Sequence, residues 1–484
     1  MRTHTRNSTA LLFAGAVAVG AALRLPFLGH QSLWIDETYT RAIALTPHLS
    51  SVWSMVKASE STPPLFYWLS WLVGHVLDSG SAAALRVVPA IAGTLTVPVA
   101  YAAFRRPLGE RVALGVAWLC AVSPVLVWYS LDARAYAVFV LVGLLNLWAL
   151  FEALDRPDNR HWAVWALTAV LCVWTHYFGA FFVAGQVTYV VIARSGEVRR
   201  RLLGWCVPVA LAVAPLIALI SSQSSDARTA FLQSRSLKTQ VEQTIRQFGM
   251  GPNVPNAVLE GAGLVLLALA LAAGIVMLAR RRDRTAVLIG AVVAVTFLPP
   301  ILLTVTGIDR IYYMRNILVV WPLVAAIAAF GLVRARGVPL GIYAALSIAT
   351  VLAIQADWRY QNVDWATVSG TIRARIGSEP ALVYPGFAGA RVGAVYLHRT
   401  ETPGPVTGRR LAVIVEPART DRRELEPLRQ LPGPPMPRFT ERRVTPLPHG
   451  FRLLQYDAPA PQPILQGGWH PDLFNQPPWF VLGG

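Results

Sequence analysis

The chain is 484 residues long with a formal net charge of +17, yet 54% of it is hydrophobic and only 14% is charged. With a mean hydropathy of +0.47, that balance excludes a soluble globular protein and a disordered one, because apolar runs of membrane-spanning length recur along the chain. The basic residues sit in short clusters between these runs rather than in a continuous stripe, which excludes nucleic acid as a partner and fits the positive-inside pattern of a polytopic membrane protein among anionic lipid headgroups.

The first ten residues carry Arg2, His4 and Arg6 ahead of an apolar run over residues 11–28. That order also opens a cleavable signal peptide, but no clear small-x-small site precedes Arg24, so an uncleaved first span is expected. Its far end delivers two adjacent carboxylates, Asp36 and Glu37. Charges near a bilayer are costly unless they face water or a partner, and so mark a candidate site. Residues 46–61 place Val52, Trp53 and Val56 at helical spacing and predict a helix lying in the interface. The run 66–77 is too short to cross a hydrocarbon core of about 30 Å and predicts a shallow or re-entrant element.

Further spans are predicted over residues 84–104, 112–129 and 135–153, two within 162–193, then 202–220, 258–279, 286–305, 317–333 and 338–354. About eleven spans result. Every strongly basic connection, from Arg105 and Arg106 to Arg334 and Arg336, then falls on one side, which the positive-inside rule makes cytoplasmic. Cys120, Cys172 and Cys206 lie inside apolar runs, as packing residues without disulfide or metal spacing.

Beyond residue 355 the composition turns polar and proline-rich. Strands are expected over 381–384, 411–415 and 451–456 and a helix over 365–376. The expected organisation is a polytopic α-helical membrane bundle over 1–355 with juxtamembrane helices around 46–77, a small extracytoplasmic α/β domain over 356–457, and a Pro/Gly/Trp-rich tail over 458–484 with no clear period.

Under this topology the polar residues at span ends gather on the outer face: Asp36, Glu37, Asp132, Arg134, His176, Tyr177, Asp309, Arg310, Tyr312, Tyr313 and Arg315. A carboxylate base beside guanidinium groups suits transfer from a phosphate-linked donor. The base takes a proton from an attacking hydroxyl, and the arginines hold the phosphate through paired hydrogen bonds. Lys57 and Lys238 are the only lysines, so phosphate work falls to arginine. Plainer roles compete: Asp132 and Arg134 as a local ion pair, His176 as a turn histidine, Arg310 as an interfacial anchor, Tyr312 and Tyr313 as aromatic-belt residues.

Trp34-Ile35-Asp36-Glu37 after the first span, followed by Thr62-Pro63-Pro64-Leu65-Phe66-Tyr67-Trp68, resembles the paired acidic motif and Pro-Pro-Leu element of GT-C membrane glycosyltransferases. By these motifs the chain resembles protein O-mannosyltransferases, the lipid A aminoarabinose transferases and their broad bacterial kin. Ser123-Pro124 through Asp132, Arg134 and Tyr136, then Thr175-His176-Tyr177-Phe178, then Arg315-Asn316 through Trp321-Pro322, extend the resemblance in order.

It implies an inverting transfer from a polyprenyl-phosphate sugar, mannose favoured, to a hydroxyl acceptor on a glycolipid, polysaccharide or protein outside the plasma membrane. Asp36 would be the general base, and Glu37 its neighbour binding acceptor or tuning it. Arg134, Arg315 and Arg310 would bind the donor phosphate, and Asp132, His176, Tyr177, Tyr312 and Tyr313 the substrates. Thr62 stands where many relatives have His or Lys, Asp132 where Glu is common, and Tyr39 where some have Arg. No cofactor is firmly implied. Asp36-Glu37 lacks Asp-x-Asp spacing, although a divalent cation bridging phosphate and carboxylate is compatible with it. The rival readings are a flippase or transporter of lipid-linked saccharides, which needs polar groups at mid-membrane, and a non-catalytic glycan-binding protein.

Overall fold

A computed structural model describes residues 2–223, 236–281, 284–307, 310–384, 386–402, 406–420, 424–428, 439–464 and 479–482. The chain divides into two compact units. One comprises Met1–Leu28 with Thr40–Leu352, the other Gly29–Tyr39 with Ala353–Gly484. The segment carrying Asp36 and Glu37, grouped by sequence with the first span, is therefore counted with the C-terminal unit.

The first unit is helical. Its first seven elements after α1 (Arg2–Ala22) are α2 (Ile35–Ala44), which carries the chain across the unit boundary, α3 (Leu49–Ser59), α4 (Leu65–Val76), α5 (Ala82–Leu108), α6 (Glu110–Val122), α7 (Pro124–Ser130) and α8 (Tyr136–Asp155). There follow α9 (Asn159–Thr175), α10 (Gly179–Ala193), α11 (Gly196–Val213), α12 (Pro215–Gln223), α13 (Leu237–Met250), α14 (Ala257–Arg281), α15 (Arg284–Val305), α16 (Trp321–Leu332) and α17 (Val338–Ala356). Each expected span coincides with a helix or a bent pair of helices. Among the described residues seven helices are long and apolar enough to cross a membrane, or nine if each bent pair is one span. The remaining two expected spans, α9 and α10, have 17 and 15 residues. At 1.5 Å per residue they fall short of a core of about 30 Å. The helix α4, at 12 residues, is short as expected, and α3 buries Val52 and Val56. The connection between the expected spans 202–220 and 258–279 contains α13.

The bend of 54° between α6 and α7 follows from Ser123-Pro124. Proline has no N–H to give the carbonyl four residues back, which belongs to Cys120. The fully buried Arg24, at the end of the first span, answers that loss. Its Nη2 donates to the Cys120 carbonyl (3.0 Å), Nη1 to the carbonyls of Ala121 (2.8 Å) and Gly20 (2.9 Å), and Nε to Ser130 Oγ (3.0 Å). Gly93 leaves the room this clamp needs, since a Cβ there would overlap Ser130 Oγ. Elsewhere α14 and α16 approach backbone to backbone. A Cβ on Gly331 would lie 2.7 Å from the Ala270 carbonyl, and one on Gly274 would overlap the Ile327 carbonyl. Small residues allow such contact where lipid supplies no hydrophobic drive.

The C-terminal unit is α/β. Its main sheet runs β2 (Thr400–Thr402), β8 (Trp479–Leu482), β1 (Ala381–Tyr384), β3 (Val406–Val415), β7 (Arg452–Ile464), β6 (Thr440–Pro446), and β4 (Ala418–Arg419) pairs separately with β5 (Leu425–Glu426). Among the described residues only β1 and β3 pair in parallel. Helix α18 (Trp365–Ile376) and helix α19 (Gly386–Leu397) complete it, with Trp365, Ile372, Val383, Ile414 and Leu453 in one core. The expected strands and helix are all present, but the sheet does not end near Asp457: β7 runs on to Ile464 and the tail contributes β8. Most of the remaining tail lies outside the described residues.

Candidate active site

Within the helical unit a buried polar and aromatic cluster forms at the start of α8. Residues 131–134 turn tightly between α7 and α8, with the Arg134 N–H donating to the Asp132 carbonyl (2.7 Å). Both side chains are buried. The Arg134 guanidinium faces a carboxylate from a distant stretch of chain. It makes a two-pronged pair with Glu60, Nη1 to Oε1 at 2.8 Å and Nη2 to Oε2 at 2.6 Å, and donates to Thr40 Oγ1 at 3.4 Å. It also lies 5.7 Å from the Tyr67 ring, whose hydroxyl meets Thr62 Oγ1 at 3.0 Å.

His176 stacks on Phe139 with ring centroids 4.8 Å apart and stands 6.0 Å from Tyr136. Its ring Nδ1 accepts from the Phe178 N–H (3.2 Å), so it serves as a turn histidine whatever else it does. Arg315 lies over two rings, Tyr313 at 5.0 Å and Tyr136 at 5.4 Å. Tyr136 is edge-on to Tyr129 at 5.0 Å, and Tyr129 interacts electrostatically with Asp132, Tyr313 and Arg315. Asp132, Arg134, His176, Tyr313 and Arg315, predicted from three separate stretches of chain, are thus brought together.

Tyr312 and Tyr177 are not part of that cluster's hydrogen bonding. Tyr312 donates to Thr244 Oγ1 (2.9 Å) on α13, and Tyr177 to Gln223 Oε1 (2.7 Å) on α12. Arg310 is exposed, and Asp309 lies outside the described residues.

In the C-terminal unit, Asp36 and Glu37 occupy the first turn of α2. Glu37 is fully buried and its Oε2 accepts from the Trp34 N–H (3.2 Å), a contact that satisfies an otherwise open helix-end donor. Asp36 is more accessible than Glu37. The segment is stitched into its unit by Ser32 Oγ donating to Asp364 Oδ1 (3.0 Å), the Leu33 N–H to Tyr396 Oη (2.8 Å) and Asn362 Nδ2 to the Ser32 carbonyl (3.1 Å). Arg391 donates to Thr38 Oγ1 (3.0 Å) and stacks 3.8 Å over the Tyr39 ring. In general a carboxylate can take a proton from a hydroxyl, and a guanidinium can hold phosphate through paired hydrogen bonds. Among the described residues no three His, Cys, Asp or Glu side chains converge to hold a metal.

Sequence reasoning missed Glu60, Tyr129 and Tyr136 as members of the cluster. Tyr129 and Tyr136 stand within quoted motif stretches and could have been found there. Glu60, 74 residues from its arginine, gives no local signal except as an isolated acid in an apolar neighbourhood.

The chain shares its fold with solved structures of a membrane protein, ArnT. Residues 61–220 match the family described as dolichyl-phosphate-mannose-protein mannosyltransferase. ArnT from Cupriavidus metallidurans in the apo state is similar at a TM-score of 0.53 and 16% identity, covering 82% of this chain and 85% of that one. The same protein bound to undecaprenyl phosphate gives 0.55 at 14% identity, covering 87% and 97%. The Archaeoglobus fulgidus oligosaccharyltransferase AglB, in complex with an inhibitory peptide and a dolichol-phosphate, gives 0.50 at 13% identity, covering 81% of this chain and 60% of that one. No curated protein matches the sequence.

Proposed function

We propose that this protein is an inverting glycosyltransferase that moves one sugar, mannose favoured, from a polyprenyl-phosphate donor to a hydroxyl acceptor on the extracytoplasmic side of the plasma membrane. The observation that carries the reading is the fold shared along most of both chains with ArnT bound to undecaprenyl phosphate. The family match over 61–220 favours mannose.

Asp36 accepts the proton of the acceptor hydroxyl as its oxygen attacks the anomeric carbon opposite the phosphate. The bond from that carbon to the phosphate oxygen breaks, its electron pair stays with the polyprenyl phosphate, and configuration inverts. Glu37, buried and tied to Trp34, orients the turn. Of the arginines, Arg315, which lies over the Tyr313 and Tyr136 rings, and Arg134, which pairs with Glu60, hold the donor phosphate. Arg310 gives a further contact. Asp132, His176 and the tyrosines shape the sugar and acceptor subsites.

The test is incubation of purified protein with polyprenyl-phosphate mannose and polyprenyl-phosphate arabinose, reading sugar transfer and donor hydrolysis by mass spectrometry. Asp36→Asn should lower the rate by about 10²–10⁴ while donor lipid still binds. Unchanged turnover in that variant, or no turnover with any donor, would remove the assignment; a transporter or scaffold tolerates the change.

A further inference from the structure

Helix α8 has 20 residues, a length of about 30 Å. One end holds Tyr136 and the cluster described above. The other ends at a separate cleft of ≈ 170 Å³, framed by Arg106, Leu154, Asp155, Tyr189, Arg194 and Thr285. Three helices finish here, α5, α8 and α10, and α15 begins. The cleft therefore lies about one hydrocarbon thickness from the candidate active site, at the arginine-rich end of the bundle. At roughly 30 Å³ per water it holds several waters' worth of space.

Its charges divide into a settled pair and an unsettled one. Arg106 donates to Glu152 at 2.7 Å. The Arg194 side chain makes no hydrogen bond or ion pair among the described residues, and its Nε is buried without a hydrogen-bond partner. The Tyr189 ring, 5.6 Å away, is what its guanidinium rests on. A buried guanidinium N–H without an acceptor is destabilising, and in this cleft Asp155 is exposed beside it. Next to Arg194, Ile192 is 79% exposed, an apolar surface suited to acyl chains. The cleft thus offers one cation, one anion, the Thr285 hydroxyl and apolar walls from Phe151 and Leu288.

We propose that this cleft binds the headgroup of an aminophospholipid, its phosphate on Arg194 and Thr285 and its ammonium on Asp155. An acidic headgroup without an amine would leave Asp155 facing a like charge. A choline headgroup carries no N–H to donate to that carboxylate. The site is separate from sugar transfer and does not rest on the activity proposed above.

The experiment is native mass spectrometry of the full chain in detergent with phosphatidylethanolamine, phosphatidylglycerol or phosphatidylcholine of matched acyl chains. Phosphatidylethanolamine should be retained best by the wild type. Arg194→Gln and Asp155→Asn should each weaken that retention about five-fold, the effect of one headgroup charge contact, and Arg194→Lys should recover part of it. Equal retention of the three lipids, or a preference for phosphatidylglycerol, would overturn the proposal; the wild-type ranking decides this even if a variant fails to fold. Free O-phosphoethanolamine that binds with the same Arg194 dependence and displaces the lipid would overturn the lipid assignment in favour of a soluble ligand.

Discussion

At the scale of single residues, the buried Arg134–Glu60 pair governs the helical unit's polar cluster. Two desolvated charges are tolerated because each satisfies the other. Removing one leaves the other uncompensated at about 3–5 kcal/mol, whereas removing both together costs far less. Glu60→Gln and Arg134→Gln should each lower the apparent melting temperature in detergent more than the double variant does; additive losses would show that the pair is not the unit of stability. Glu416 makes a different prediction. It is buried in the C-terminal unit, where Trp365 Nε1 donates to it, and desolvation pushes its pKa up to about 8 from 4.5. The folded state then keeps a proton that the unfolded chain has lost. Stability is full below the unfolded value and falls as pH rises through about 8. Glu416→Gln, which retains the acceptor for Trp365, should flatten that slope in melting curves between pH 5 and 9; an unaltered slope would place the titration elsewhere. In sequence, Arg134 and Asp132 stood out as charges at a span end, but the partner of Arg134 could not be read. Ion pairing across tens of residues depends on how helices pack, which no local period encodes.

At the scale of elements, the spans themselves were the most legible feature, because an apolar run of fixed length is a direct consequence of bilayer thickness. The bends were legible only in retrospect: Ser123-Pro124 breaks a helix whose hydropathy is uninterrupted. The helices α9 and α10 share residues too few for two full spans, 17 and 15 of them. Helix contacts were not legible, since glycine in an apolar run looks the same whether it faces lipid or another backbone. The contrast is testable. Gly274→Val should reduce the monodisperse fraction in fluorescence-detected size exclusion, because the added carbons meet the Ile327 backbone. Gly290→Ala, with nothing within 4 Å of its added Cβ, should leave the profile unchanged or improved. Equal behaviour of the two would mean that α14 and α16 do not pack so closely.

At the scale of the whole molecule, the sequence distinguished a helical membrane part from a smaller α/β part, and it identified β1 and α18 to the residue. It did not reveal that residues 29–39 belong with the second unit. Pairings such as Ser32 with Asp364 span 332 positions, and the apolar run before them pointed to the first unit. Nor did it reveal β8, because a four-residue strand among prolines and glycines has too few positions to show alternation. Yet β8 lies between β1 and β2. Removing residues 465–484 should therefore expose the edge of β1 and detach β2, seen as faster amide exchange over residues 381–384 and 400–402 with exchange in the helical unit unchanged. Undisturbed protection of β1 would show that β8 is dispensable.

The clamp at Arg24 bears on the order in which the chain can be assembled. A kinked segment that enters lipid with an unsatisfied peptide oxygen carries a defect hydrocarbon cannot heal, and a lone guanidinium in the same medium carries another. Each is the remedy for the other. Because the ribosome delivers the amino-terminal helix first, the donor is already in place when the kink arrives nearly a hundred positions later (96 separate Arg24 from Cys120). Moving the first helix to the far end of the chain would leave every wall of the bundle intact and still strand both groups during synthesis.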